Sequence, residues 1–280
     1  MGSAGPWLRL LRLEEYGPLF ALCPLAGFLL AGGSWLSGLV ALVISITTFS
    51  ASAFVINDVM DAAQDAAKAG PRNPVATREI DGRRALALFW LLAAAAAATL
   101  LVLPQQTVYL ALVAFGLYWG YSWEPGFRKM PVLDVVVHGT VPALYLLMGY
   151  SLARPVTAGA VALSLVVFFF AAATCVLQEI RDIGPDSLFR RTTVSLVGAE
   201  GGASLALLLS LAGTVSFVLC AVYGVLPLPM VVFSAAAPLL LWPVFSLTSG
   251  RMSASDAIVR LRRLGTALAV AMMAVFVLLG

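Results

Sequence analysis

Long apolar stretches dominate this sequence and restrict its fold more than any other feature. Nine of them are long enough, or nearly so, to cross a bilayer as α-helices, which need about 20 residues. They cover residues 17–36, 39–56, 85–103, 107–123, 132–153, 156–177, 203–225, 228–247 and 264–279. Because 61% of the residues are hydrophobic and only 11% are charged, a soluble domain cannot bury this much apolar surface. The sequence therefore predicts an all-α, polytopic membrane protein, a nine-transmembrane-helix bundle around a central cavity.

The segments between these stretches fall into two classes that predict the topology. One class is short and nearly uncharged. The other is charged and comprises the N-terminal segment and residues 57–84, 124–131, 178–202 and 248–263. Of the 17 Lys and Arg residues, only Arg154 lies in the uncharged class. The positive-inside rule then predicts that the N-terminus and the charged loops are cytoplasmic and that the C-terminus is extracytoplasmic.

The net charge argues against a nucleic-acid partner, and the cysteine placement argues against disulfides and a zinc site. A net charge of +3 is too small to indicate nucleic acid, and the positive-inside rule already explains the basic excess. The three cysteines lie in apolar stretches without metal-ligand spacing, so we predict neither a disulfide nor a zinc site. The expected surroundings are the lipid bilayer, and no obligate protein partner is inferred.

Two acidic motifs of identical spacing stand at the ends of the second and sixth apolar stretches. They read Asn57-Asp58-x-x-Asp61-x-x-x-Asp65 and Gln178-Glu179-x-x-Asp182-x-x-x-Asp186. On a helix the three acids of the first motif fall within an arc of roughly 60°, with the asparagine near the same face. Gly184-Pro185 is a helix-breaking signal in the second motif. The repeat predicts a single membrane-embedded domain over residues 1–280, with one motif in each half (roughly 1–130 and 131–280).

Opposed carboxylate faces form a site for hard divalent cations, which prefer oxygen ligands. Mg²⁺ typically takes one or two carboxylates and completes its shell with water and substrate phosphates. The motifs therefore predict a diphosphate bridging Mg²⁺ ions. The metal ligands are Asp58, Asp61, Asp65, Asp182 and Asp186, supported by Asn57 and Glu179. Solvated helix ends would explain one motif alone, but a second copy in the same register favours the metal site.

The sequence NDVMDAAQD resembles the NDxxDxxxD motif of the UbiA superfamily of intramembrane prenyltransferases, and DIGPD resembles their second, DxxxD motif. RNPVATREIDG is similar to the Pro-containing, Gly-ended loop that follows the first motif in that family. The resemblance covers nearly the whole chain. It implies that the aspartates hold Mg²⁺ on a polyprenyl diphosphate whose chain lies in a lipid-accessible cavity. Asp58, Asp61 and Asp182 are then catalytic.

Cationic side chains are expected around the diphosphate, because its cleavage leaves an anion that positive groups stabilise. The candidates are Arg12, Lys68, Arg72, Arg128 and Lys129, together with Arg181, Arg190 and Arg191 around the second motif. We favour Lys129 as catalytic, because YWGYSWEPGFRK resembles the Tyr-and-basic segment that family members place beside the diphosphate. For each residue alone, a charge that merely sets the topology is the alternative.

Two further groups have open roles. Tyr118 and Tyr121 could shield a carbocation with their rings or belong to an interfacial aromatic belt. Asp134 and His138 lie one turn apart and could orient or deprotonate an acceptor, although we favour a hydrogen-bonded structural pair.

These features predict Mg²⁺-dependent transfer of a prenyl group from a polyprenyl diphosphate to a small-molecule acceptor, aromatic or lipid-like. A terpene cyclase of the same superfamily type is the alternative, because ionisation needs the same metal site without an acceptor. A transporter would place its ionisable groups near the middle of the membrane, whereas these acids cluster at one end of their helices.

Overall fold

The computed structural model describes residues 5–67, 73–123, 126–186, 191–226, 233 and 237–279. Within these ranges, only the backbone is described for residues 14, 15, 128, 184–186, 237, 276 and 279. The described chain is helical and contains no β-strand. Its α-helices are α1 Pro6–Leu11, α2 Leu13–Leu30, α3 Leu36–Met60, α4 Ala62–Ala66, α5 Gly82–Leu100, α6 Gln105–Ser122, α7 Leu133–Ser151, α8 Ala158–Asp186, α9 Thr193–Val222, α10 Leu241–Thr248 and α11 Ala254–Leu279. Short 3₁₀ turns cover Phe127–Lys129 and Ala237–Leu240.

Several of these helices have the length and composition of membrane spans. In the described part of the chain there are five, namely α3, α5, α7, α9 and the Ala158–Ile183 portion of α8. Shorter apolar helices cover Tyr16–Leu30 and Pro238–Thr248. The predicted all-α membrane class is confirmed. The count of nine spans stays a prediction, since residues 228–232 and 234–236 lie outside the described ranges.

Two helices begin earlier than the apolar stretches that predicted them, because polar residues cap their first turns. α9 begins at Thr193, where the side chains and backbone of Thr192 and Ser195 form a capping box. α11 begins at Ala254, where Ser253 donates to Asp256 and accepts from its backbone N–H. Capping satisfies backbone donors that hydropathy does not register, so the apolar stretches mark only the lipid-facing portions. α8 also continues through Gly184-Pro185, and ends one residue later.

Helices α2 and α7 cross so closely that only glycine fits at the contact. A Cβ on Gly27 would lie 1.9 Å from the carbonyl oxygen of Leu146. A Cβ on Gly149 would lie 1.9 Å from the carbonyl oxygen of Pro24. Small residues permit this approach in membrane bundles, where dispersion contacts between helices replace the hydrophobic effect.

Hydroxyl pairs connect α7 to its other neighbours. Ser50 of α3 and Tyr145 share a hydrogen bond of 2.8 Å, and Thr107 of α6 and Ser151 share another of 2.8 Å. Each pair satisfies two buried polar groups at once. α7 is therefore held from three sides by α2, α3 and α6, and on its remaining side it packs against α8.

Candidate functional site

The first acidic motif stands where α3 ends and α4 begins. Asp58 is buried, with 2% of its surface exposed, whereas Asp61 and Asp65 are half-buried. The Arg12 guanidinium donates to Oδ1 of Asp58 at 2.6 Å. Oδ2 of Asp58 is buried and has no hydrogen-bond partner among the described residues. An anionic oxygen left unpaired in this way can accept a cation, because hard divalent ions bind carboxylate oxygens.

Arg12 reaches this carboxylate because of the break between α1 and α2. Its backbone adopts the left-handed conformation, with φ of 51°, which separates the two helices. The guanidinium carbon also lies 5.2 Å from the centre of the Phe54 ring. The sequence indicated Arg12 only by its position ahead of the first apolar stretch, and the structure places it directly on the motif.

Asn73 is a site residue that the sequence analysis did not identify. It is buried, and its Nδ2 donates to the carbonyl oxygen of Asp58 at 2.7 Å and to Oδ2 of Asp65 at 3.0 Å. Its Oδ1 accepts from the backbone N–H of Val75 at 2.9 Å. The sequence does contain a signal for this residue. Asn73 directly precedes Pro74 in RNPVATREIDG, and an asparagine before a proline favours such turns. Asn73 therefore fixes the first motif to the loop that follows it.

The same loop is attached to α1. Arg9 forms an ion pair with Glu79, and the Thr77 hydroxyl donates to Glu79 at 2.7 Å. Mainly the hydrogen bond from Thr77, and then the contact with Arg9, lowers the pKa of the exposed Glu79 carboxyl. The loop over residues 73–81 is therefore attached both to α1 and, through Asn73, to the first motif.

Glu179 and Asp182 of the second motif have different surroundings. Asp182 forms two hydrogen bonds with Arg181, of 2.8 and 2.7 Å, and its side chain is 35% exposed. Glu179 instead accepts from the backbone N–H of Val194 at 2.9 Å. Glu179 therefore anchors the start of α9, and its predicted contact with substrate stays a prediction.

Part of the predicted set cannot be placed. Lys68 and Arg72 lie outside the described residues, as do the side chains of Arg128 and Asp186. Among the described residues, no three acidic, histidine or cysteine side chains come together as a closed metal cage. Mg²⁺ commonly takes only one or two carboxylates and completes its shell with water and substrate phosphates.

Asp134 and His138 have separate surroundings. The carboxylate of Asp134 accepts from the backbone N–H of Thr193 at 2.8 Å and from its hydroxyl at 2.5 Å. Asp134 therefore joins α7 to α9, as the structural interpretation predicts, but with a partner other than the histidine. His138 lies on the wall of a cavity.

This cavity has a volume of about 370 Å³ and lies between α2, α7, α8 and α11. Its walls are mostly apolar, and its polar side chains are Tyr16, His138, Thr174, Gln178, Arg262 and Thr266. A mostly apolar wall with a few polar side chains suits an amphiphilic ligand with a long hydrocarbon part.

Tyr16 connects the cavity to both motifs. Its ring lies 5.0 Å from the Phe54 ring, which in turn contacts Arg12, the partner of Asp58. Its hydroxyl accepts from Nε2 of Gln178, at the start of the second motif, at 3.4 Å. Sequence reasoning missed Tyr16, because nothing local distinguishes it from an interfacial tyrosine.

The predicted aromatic wall adjoins this tyrosine. Tyr118 and Tyr121 line a narrow pocket together with Tyr16 and His138. The rings of Tyr118 and Phe54 are 6.0 Å apart, and those of Tyr121 and His138 are 6.4 Å apart. Lys129 is half-buried at the end of its 3₁₀ turn. Tyr118 and Tyr121 thus line an internal pocket rather than only the outer surface.

A helical membrane bundle has a mostly apolar cavity that is linked through Tyr16 and Phe54 to a buried carboxylate and its arginine. This architecture suits a membrane-embedded protein for an amphiphilic ligand. The chain belongs to the UbiA prenyltransferase family, whose profile matches residues 20–266.

Individual relatives agree with this family. The 4-hydroxybenzoate octaprenyltransferase of Edwardsiella ictaluri is 33% identical over 156 residues, which cover 52% of this chain and 54% of that protein. The chain thus spans about half the length of this relative. The 4-hydroxybenzoate octaprenyltransferase of Pectobacterium carotovorum is 30% identical over 228 residues, covering 75% of this chain and 78% of that protein. The family and these relatives support a prenyltransferase as the enzyme class.

A solved structure shares the fold. A UbiA homologue of Archaeoglobus fulgidus, bound to GPP and Mg²⁺, superposes with a TM-score of 0.75 at 21% identity. The superposition covers 97% of this chain and 99% of the homologue.

Proposed function

We propose that this protein transfers a prenyl group from a polyprenyl diphosphate to an aromatic acceptor, with Mg²⁺ as cofactor. The observation that carries the proposal is the buried, unpaired Oδ2 of Asp58, whose carboxylate is linked through Arg12, Phe54 and Tyr16 to a mostly apolar cavity. The two relatives named as 4-hydroxybenzoate octaprenyltransferases support an aromatic acceptor. The homologue bound to GPP and Mg²⁺ supports both the donor and the cofactor.

The acidic residues would hold the metal. Asp58 offers Oδ2, and Asp61 and Asp65 are half-buried nearby on the first motif. Asp182 and Asp186 would serve from the second motif. When bound, Mg²⁺ supplies positive charge to the diphosphate leaving group. Arg12 and Lys129 add positive charge from the protein itself.

The reaction breaks the bond between the allylic carbon and the diphosphate oxygen, and the electron pair leaves with the diphosphate. A ring carbon of the acceptor then bonds to the allylic cation and loses its proton. The rings of Tyr118 and Tyr121 line a narrow pocket, where they would shield the cation from water and stabilise its positive charge. His138, the single histidine of the chain, lines both this pocket and the cavity and is the side chain best suited to accept the proton.

Product analysis tests this function. We expect the purified protein with Mg²⁺, geranyl diphosphate and 4-hydroxybenzoate to form a prenylated acid that mass spectrometry detects. Chelation by EDTA should abolish the product, and added Mg²⁺ should restore it. A cyclic hydrocarbon formed from the diphosphate alone would instead identify a terpene cyclase, and diphosphate left intact under all conditions would contradict both reactions.

Asn73→Ala should weaken Mg²⁺ binding, because Asn73 holds the backbone of Asp58 and the carboxylate of Asp65 at once. Loss of residues that orient metal ligands typically lowers affinity 10- to 100-fold, so the Mg²⁺ concentration for half-maximal activity should rise by roughly that factor. Excess Mg²⁺ should recover most of the activity.

A matched control for this variant lies in the same loop. Thr77→Val removes hydrogen bonds to Glu79 and Pro74 but no contact to the motif. Its Mg²⁺ requirement should equal that of the wild type. Equal Mg²⁺ requirements for Asn73→Ala and wild type would show that Asn73 does not orient the metal ligands.

A further inference from the structure

Arg262 stands out among the basic residues of α11. It lines the cavity and is half-buried, whereas its neighbours Arg260 and Arg263 are exposed. Ionisable groups inside a membrane bundle are costly and commonly face a binding site. Arg262 is therefore a candidate for contact with a bound molecule.

Two arginines flank the aromatic pair between the first motif and the cavity. Arg12 lies over Phe54, and the guanidinium carbon of Arg262 lies 4.9 Å from the centre of the Tyr16 ring. The Phe54 and Tyr16 rings are 5.0 Å apart. The order is thus Arg12, Phe54, Tyr16, Arg262, with the motif on one side and the cavity on the other.

The two arginines differ in their charge partners. Arg12 forms an ion pair with the buried Asp58. No carboxylate pairs with Arg262 among the side chains that the structure describes; its recorded contact there is the face of the Tyr16 ring. An anion bound in the cavity would be stabilised by the positive charge of this half-buried arginine.

There is room for such an anion beside Arg262. Gly265 lies three residues further along α11, on the same helical face, and also lines the cavity. A Cβ built on Gly265 would meet no atom within 4 Å. A planar guanidinium can donate two parallel hydrogen bonds to one carboxylate. The Tyr16 ring, which lies against the guanidinium of Arg262, orients that group.

We propose that Arg262 binds the carboxylate of an aromatic acid acceptor that enters the cavity. This inference rests on the proposed function and deepens it by assigning the acceptor's anionic group to one residue. The donor diphosphate belongs on the other side of the aromatic pair, beside Arg12 and the motif acids. An acceptor held by Arg262 would then lie against Tyr16, with its ring toward the allylic end of the donor.

The test compares 4-hydroxybenzoate with 4-hydroxybenzamide, which has a similar shape and no charge. Calorimetric titration measures binding of each without turnover, and KM values are measured separately with geranyl diphosphate. Arg262→Gln should weaken binding of the acid, and raise its KM, roughly 10- to 100-fold, while the amide and geranyl diphosphate change little. Arg262→Lys should retain part of the preference for the acid.

Arg263→Gln is the matched control, since it removes an adjacent, exposed charge and should leave all values unchanged. An acid preference that persists in Arg262→Gln overturns the inference, as does a raised KM for geranyl diphosphate alone. So does a wild type that does not bind the acid. If the wild type binds the acid through Arg262 but forms no prenylated product, the proposed function fails while the binding assignment stands.

Discussion

Asp58→Asn should lower the rate of prenyl diphosphate consumption by roughly 10²- to 10³-fold, the usual effect of removing one electrostatic contact to developing charge. The substitution preserves the shape of the side chain but removes its charge. Oδ2 of Asp58 is buried without a partner, while Oδ1 is held by Arg12, so the loss falls on the oxygen available to a cation. Diphosphate release at saturating Mg²⁺ and substrate measures the effect.

The control for this variant removes an exposed acid that belongs to neither motif. Glu200→Gln changes an exposed carboxylate of α9 and should retain the wild-type rate. Asp61→Ala and Asp182→Ala should also lose most activity if both motifs hold the metal. Folded Asp61→Ala and Asp182→Ala proteins that consume the diphosphate at the wild-type rate would refute the metal assignment.

Gly149→Ala should destabilise the bundle by about 3 kcal/mol or more, the upper part of the range for overpacked cores. The added methyl group would lie 1.9 Å from a backbone oxygen of α2, and no rotamer change can move a backbone atom. α2 and α7 must therefore separate. The thermal midpoint in detergent should fall by roughly 6 °C or more.

Gly116→Ala provides the comparison on a neighbouring helix. A Cβ at Gly116 in α6 would meet nothing within 4 Å, so this variant gains helix propensity without a clash. Its midpoint should stay the same or rise slightly. Equal midpoints for the two variants would show that α2 and α7 do not need their close contact.

The sequence predicted features that depend on composition and local spacing. Hydropathy identified the membrane class, although it missed the capped starts of α9 and α11. The spacing of Asn57, Asp58, Asp61 and Asp65 identified the first motif before its position was known. Arg12 was a candidate because basic residues near the charged face are candidates in general.

Contacts between distant segments were beyond prediction from a single sequence. The pairing of Arg12 with Asp58 depends on how α1 turns into α2, through a left-handed residue. Arg262 meets Tyr16 only because α11 packs beside α2. The need for glycine at Gly27 and Gly149 follows only from the close crossing of α2 and α7, which the sequence does not reveal. Each contact is a property of the packed bundle.

The cavity has walls from α2, the helix of Tyr16, and from α11, the helix of Arg262. On the ribosome, α11 emerges long after α2 and α7 have entered the lipid phase. A nascent chain that already contains Asp58, Tyr16, Tyr118 and Tyr121 therefore has only an open groove, because the wall that α11 supplies is missing. We expect the surrounding lipid to shield that groove until α11 docks, so the cavity can hold a substrate only after α11 has packed against the bundle.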